Sequence, residues 1–239
     1  TLNSGDGDIV TSEKNIQLQT YNPNDQSQAA YKCSEKITAV EHDDGQSYWV
    51  VTHFINKFYA FRVDSSGVNP IPVTTTTTPS ISQQGYRRNG IGYMKASPDG
   101  SKIAVCHRQN GNTEGQNSNN TGSVWLYDFD NQTGIISNPL NVYPNSGPYG
   151  VEFSAEATKL YVTSDDSVIQ FDLEAPNPAA TITTVHSGFD FIGALQLGPD
   201  GKIYAANTGN QSALDVINAP EELGVLCGYT NAGIAPVSY

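Results

Sequence analysis

The chain has 239 residues, a mass of 25.7 kDa and a formal net charge of −12, from 24 acidic against 12 basic residues. Such an excess repels nucleic acid and anionic lipid, so neither is expected as a partner, and no apolar run approaches the ~18 to 20 residues that span a bilayer, so no membrane insertion is expected. Charged residues are only 15% of the chain while Ser, Thr, Asn, Gln, Gly and Tyr abound, the composition of a secreted β-protein whose loops are solvated by amides and hydroxyls.

The sequence opens on Thr1 and not Met, and reads as a mature or excised fragment. Residues 1–20 carry two short β-like runs, Asp8-Ile9-Val10 and Asn15-Ile16-Gln17-Leu18, which look like the remnant of a preceding repeat. From residue 31 onward one phrase is written four times: a first strand, a turn, a second strand, a loop and an aromatic third strand. The first strands are Ile37-Thr38-Ala39-Val40, Gly92-Tyr93-Met94-Lys95-Ala96, Tyr149-Gly150-Val151-Glu152-Phe153 and Ala194-Leu195-Gln196-Leu197. Second strands start at Tyr48, Ile103, Leu160 and Ile203, and three follow turns of one type, residues 97–102, 154–159 and 198–202.

Third strands begin at Phe58, Val124, Val168 and Ala213, and β-branched and aromatic residues alternate along them with period two, as a sheet face packed on another sheet requires. Outer strands are weaker: Pro70-Ile71-Pro72-Val73 running on to Thr78, Leu140-Asn141-Val142 and residues 181–185, with prolines suited to an edge. The tail from 224 to 239 shows little strand signal. Residues 108–122, without an apolar side chain, and 80–88, with the basic pair Arg87-Arg88, read as loops.

A repeat of this length and strand content predicts an all-β fold, a β-propeller of about four four-stranded blades plus the N-terminal remnant, forming part of a larger propeller. The expected blades are 31–78, 90–143, 148–186 and 192–229, within one domain spanning 1–239. Cys33, Cys106 and Cys227 are odd in number and lack CxxC spacing, so zinc is not expected and at most one internal disulfide can form. Cys106, inside a strand, reads as a buried small hydrophobe.

The phrases GYMKASPDGSKIAVCH, GSVWLYDFDNQTGIISNPLNV, YGVEFSAEATKLYVTS, IGALQLGPDGKIYAAN and LDVINAPEELGVLCGY resemble a group of Bacteroidetes surface proteins. Those propeller-bearing proteins are described as gliding motility-associated, are exported by type IX secretion and usually end in a type B sorting domain. The resemblance implies an extracellular or cell-surface location, and it departs locally at Ala155-Glu156-Ala157, where a Pro-Asn-Gly turn is usual. It also implies O-glycosylation at Ser167, within Asp166-Ser167-Val168.

Equivalent positions in successive blades converge around a propeller axis. His53 and His107, with Ser164 and Asn207 in the matching places of the other two blades, are therefore candidate ligand-binding residues. Tyr86 and Tyr149, beside loops, could offer ring faces to a sugar, as could Tyr143 and Tyr229. Asp128 and Asp130 place oxygens at alternate positions ahead of Gly134, which suits calcium, the one cofactor to be considered; the same run is equally a hairpin turn.

No G-x-S-x-G elbow, H-E-x-x-H or phosphate-cradling loop occurs, so catalysis is not expected. The sequence reads as an extracellular binding or adhesion module whose loops meet a glycan or a surface protein, and further domains or another chain would complete the propeller. Two alternatives stand beside it: a propeller hydrolase or lactonase with a metal near His53 and His107, and a structural spacer in a surface filament.

Overall fold

A computed structural model describes residues 14–22, 24–26, 34–82, 86–111, 121–209 and 212–235. The strands form four antiparallel sheets, each made from strands consecutive in the chain. The first holds β1 (Ile37–Glu41), β2 (Tyr48–Phe54), β3 (Lys57–Asp64), β4 (Gly67–Val68) and β5 (Val73–Thr76). The short helix α1 (Tyr86–Asn89) leads to the second, of β6 (Met94–Ala96), β7 (Lys102–His107), β8 (Gly122–Asp130) and β9 (Ile135–Ser146). The third is β10 (Pro148–Phe153), β11 (Lys159–Ser164), β12 (Ser167–Asp172) and β13 (Thr183–Ser187). The fourth is β14 (Ile192–Leu197), β15 (Ile203–Asn207), β16 (Leu214–Ile217) and β17 (Tyr229–Ile234).

The first strands β1, β6, β10 and β14 lie side by side as the inner strands of an arc. The four sheets are blades of a partial propeller that does not close into a ring. Period-two alternation gives each blade two packing faces. Two faces meet at each interface: Trp49 and Val51 of β2 pack on Met94, Ile103 and Val105 of the second blade. On the opposite face of β7, Ala104 and Cys106 pack on Val151, Phe153, Leu160 and Val162. Tyr161 and Val168 pack in turn on Ile192, Leu195 and Ile203. Each such side chain taken wholly out of water contributes roughly 1.5 to 3 kcal/mol, which is what holds blade to blade.

Four equivalent turns set the register between first and second strands. Each closes with one backbone bond across its base, His42 to Ser47, Ser97 to Lys102, Ser154 to Lys159 and Gly198 to Lys202, the first-named amide donating to the second-named carbonyl. In each, one residue is left-handed: Gly45, Gly100 and Gly201 at φ of 62°, 72° and 76°, and in the third blade Ala157 at 55°. That conformation strains a residue with a Cβ. Replacing Ala157 by Gly is therefore expected to stabilise the protein by about 0.5 to 1 kcal/mol, read as a raised urea midpoint at unchanged m-value.

The third turn departs a second time. Asp99 folds its carboxylate back onto its own turn, accepting bonds from the hydroxyls of Ser97 and Ser101. Glu156 holds that place in the third blade, and Glu221 from the fourth blade takes over the work. Its carboxylate accepts bonds from Ser154 Oγ and Glu156 N, both at 2.8 Å, and from Thr158 Oγ1. The substitution that breaks the local pattern thus becomes a tie between neighbouring blades.

The outer strands differ most from expectation. In the first blade the edge of β3 is covered in two pieces, β4 and then β5, because Pro70 and Pro72 lack the amide a continuous strand needs. β9 is longer than the predicted 140–142 and runs twelve residues. β17 was not visible in the tail: Tyr229-Thr-Asn-Ala-Gly-Ile lacks alternation because all but Tyr229 of its side chains are exposed, and it is held by edge pairing to β16. The expected remnant at 1–20 falls mostly outside the described residues, and 14–20 carry no strand. Cys106 and Cys227 are free and buried, and Cys33 lies outside the described residues.

Candidate functional site

Of the four second-strand residues the structure brings His53 and His107 together, while Ser164 and Asn207 have other partners. Aligned on the four turns, Thr52, His107, Ser164 and Asn207 are equivalent, and His53 lies one place further, level with Arg108. In a strand one place changes the face. His53 therefore points toward the second blade and His107 back toward the first, and the two rings meet edge-on inside that interface with centroids 5.0 Å apart. Both are buried, His53 at 2% and His107 at 0% exposure.

A lysine shares this interior. Lys36, wholly buried, donates from Nζ to the carbonyls of Gly90 and Ile91 at 3.0 Å, just past the end of α1. Burial, against the pull of Glu35, brings its pKa down to about 8. Burial and then the Lys36 charge bring His53 down to about 3 and hold His107 well below its ordinary value. Neither ring nitrogen of His107 has a hydrogen-bond partner. This is a buried, neutral imidazole pair that feels the charge of a nearby ammonium, a setting that disfavours a metal cation. Among the described residues no group of three or more His, Cys, Asp or Glu is placed to hold a metal ion.

The other expected residues are engaged elsewhere. Asn207 donates from Nδ2 to Asp215 Oδ2 at 2.9 Å and accepts from Gly209 N. Ser164 ends β11, paired with Ser167 across the hairpin. Ser167, half-buried, donates from Oγ to Asp166 Oδ1. Asp128 is taken up by Lys102 Nζ at 2.9 Å and Asn138 Nδ2 at 2.7 Å, and Asp130 caps its own turn through Gln132 N and Thr133. The Asp130 contacts are those of a hairpin turn, while those of Asp128 run across the sheet to β7 and β9. Tyr143 packs edge-on against Phe171, and Tyr229 stacks on His186 while donating to Asp215. Tyr86 opens α1, and its side chain lies outside the described residues.

Tyr149 lines a cavity. A groove of about 470 Å³ runs over the inner strands, lined by Glu35, Ile37, Thr38, Tyr93, Lys95 and Tyr149. Its size falls within the ~300 to 1,000 Å³ of small-molecule sites. The Tyr93 and Tyr149 rings lie 5.2 Å apart, Tyr149 abuts Phe191 at 5.8 Å, and the Arg108 guanidinium stacks 5.1 Å from the Phe191 centroid. An aromatic row thus crosses from the second blade to the fourth. Arg108 is itself anchored to Gly147 O and Asp165.

Bulges in two inner strands lie along this row, one carrying Tyr149 and one just after Phe191. Register slips between Pro148 and Val151 in β10, and between Ile192 and Leu195 in β14. Such an extra residue turns a side chain out of the sheet. Thr163 Oγ1 accepts from Gly150 N at 2.7 Å and donates to Gly193 O at 2.8 Å, stitching one bulge to the next. A Cβ on Gly150 would lie 2.5 Å from Gly193 O, so only glycine lets these strands approach. Glu35 steadies the third side by accepting from Gly92 N at 2.6 Å. Lys95, at the floor, pairs with Glu152 at 2.8 Å and donates to Gln196. Sequence reading missed Glu35, Tyr93, Lys95 and Phe191; the recurrence of glycine beside an aromatic, at Gly92-Tyr93 and Tyr149-Gly150, was the available signal.

No protein-family model and no curated protein matches the chain. Among solved structures it is similar to a candidate 6-phosphogluconolactonase of Bacteroides uniformis, at 17% identity and TM-score 0.51 over 84% of this chain and 54% of that one. It is also similar to the periplasmic gluconolactonase of Pseudomonas aeruginosa, at 16% identity and TM-score 0.45 over 75% of this chain and 52% of the other. A third is a candidate TolB of Agrobacterium tumefaciens, at 15% identity and TM-score 0.47 over 75% and 56%. The chain spans about half the length of each. The first likeness shows the fold, a β-propeller present in part.

Proposed function

We propose that this chain is a binding module of an exported, cell-surface protein and that its ligand is a glycan seated in the inner-strand groove. The observation that carries the reading is the pair Tyr93 and Tyr149, side by side and half-exposed over the groove, with Tyr149 on the bulge of β10. Aromatic rings take the apolar face of a sugar while nearby polar groups fix its hydroxyls. Here Tyr and Thr hydroxyls, the Glu35 carboxylate and the Lys95 ammonium supply that polar fringe. Export to the surface is supported by the neutral-polar composition and by the resemblance to surface proteins described above.

The lactonase names of two similar structures favour chemistry on a sugar acid. Against that reading, the only paired histidines are His53 and His107, buried inside a blade interface and unable to reach a substrate in the groove.

Titrating a panel of neutral oligosaccharides against the protein, followed by tyrosine fluorescence and calorimetry, should find at least one that binds. Tyr149→Ala should weaken that sugar at least about 30-fold, the loss typical of an aromatic hot spot, with an unchanged melting curve. Binding that survives the substitution, or a panel with no binder at millimolar concentration, would overturn the reading.

A further inference from the structure

The groove over the inner strands draws its lining from three successive blades, and its charges do not cancel. Lys95 is already engaged: its ammonium pairs with Glu152 and donates to Gln196 Oε1, both at 2.8 Å. Arg108, beyond the aromatic row, is likewise taken up by Asp165 at 2.9 Å and by the Gly147 carbonyl. Lys36 turns its ammonium inward, onto the carbonyls of Gly90 and Ile91. Glu35 is the charge that remains. Its Oε1 accepts from Gly92 N, the residue is exposed at the side of the groove, and among the described residues it has no ion-pair partner. Burial, and then the Glu35 carboxylate, raise the Tyr149 phenol above its ordinary value, so the charge lies within reach of that ring.

Two aromatic faces beside an uncompensated carboxylate are the elements of a site for a cation. The Tyr93 and Tyr149 rings, with centroids 5.2 Å apart and planes inclined at 51°, supply the faces. An ammonium within about 6 Å of a ring centroid is drawn to the negative face of the ring, and a carboxylate beside it adds a charge-assisted hydrogen bond. We propose that the groove prefers an amino sugar with a free, protonated amine, set beside Tyr93, Tyr149 and Glu35, a preference that rests on the glycan reading above and names the class of sugar. The N-acetylated sugar of the same skeleton lacks the charge, and an acidic sugar would meet Glu35 as a like charge. The net charge of −12 acts in the same sense at longer range, drawing a cation in and turning an anion away.

Calorimetric titration of the 239-residue protein with gluco- and galacto-configured oligosaccharides, each in N-acetylated and fully de-N-acetylated form, compares one skeleton with and without the charge. At about pH 6 a sugar amine, like an α-amine of pKa ~7.7 to 8.0, is protonated. For at least one skeleton the amine form should bind about tenfold tighter than its acetylated partner, the effect of a cation–π contact and an exposed ion pair together. Glu35→Gln keeps an oxygen for Gly92 N and removes the charge, and should cut that preference to about threefold. Raising the salt from about 0.05 to 0.5 M should narrow it similarly in the unaltered protein, a measurement that needs no variant to fold. Acetylated forms that bind as tightly as the amine forms, or a preference indifferent to both Glu35→Gln and salt, would overturn this proposal and leave the glycan reading standing. Choline binding as tightly as the amine form would overturn it too, since the sugar ring would then contribute nothing. So would amine forms that fail to bind at millimolar concentration; if no sugar of any kind binds, the glycan reading falls with it.

Discussion

Taking the protein from pH 7.5 to pH 5 is expected to remove about 2 kcal/mol of folding stability through His53, and a further amount through His107. Both rings are buried at the joint of the first two blades, His53 with its pKa near 3 and His107 held well below the ordinary value. In the unfolded chain each titrates near ~6.5. A depressed folded pKa means that the unfolded state binds the proton first. The stability is therefore fully present above about 6.5 and falls as the pH drops, by roughly 1.4 kcal/mol per pH unit for each ring. The fall continues until the folded protein itself protonates, for His53 near pH 3.

Lys36 pushes in the same sense. Its folded pKa, near 8, lies below its ordinary value, so stability rises further as the pH passes from 8 toward ~10.5. Urea melts at half-unit pH steps check both limbs. His107→Leu should reduce the loss between pH 7.5 and 5, because it removes one of the two protons and a buried imidazole with no hydrogen bond to lose. A flat profile between pH 7 and 5 would show that the pair is hydrated or paired in solution.

Gly92→Ala is expected to cost roughly 3 to 5 kcal/mol, a fall in melting temperature of about 6 to 20 °C for a chain of this size. Two penalties combine there. At φ +126° the backbone is in a region closed to a side chain, and a Cβ would lie 2.1 Å from the Cys106 carbonyl oxygen. Cys106 N donates to Tyr93 O, so the strand cannot step back without losing that bond. Gly67, at φ +117° with nothing within 4 Å, separates the causes: Gly67→Ala carries the backbone strain alone and should cost about 1 to 3 kcal/mol. Gly92→Ala should also weaken whatever binds the groove, since Gly92 N holds Glu35 and the next residue is Tyr93. Equal costs at the two glycines would mean that the close approach to β7 is relaxed in solution.

Much of the architecture was legible because its physical causes are local. A strand packed on both faces needs alternating bulky residues, and a tight turn needs glycine at its left-handed position; Gly45, Gly100 and Gly201 mark three of the four turns in the bare sequence. β17 escaped because an exposed edge strand is held by backbone pairing, which leaves no pattern in its side chains. The candidate site was legible only at Tyr149. The histidines were read as equivalent because both end second strands, yet a one-place offset puts them on opposite faces, and no local signal reports that offset.

What the sequence determined by itself is the set of four blades, since repeated alternation and repeated turns are properties of neighbours along the chain. Only the tertiary structure decided what the polar residues do. It buried His53, His107 and Lys36 in one interface, gave Glu221 to a turn 63 to 67 residues away and set Tyr93 beside Tyr149. The reason is that these contacts join different sheets, and which faces meet depends on strand register and on bulges that shift it by a single residue.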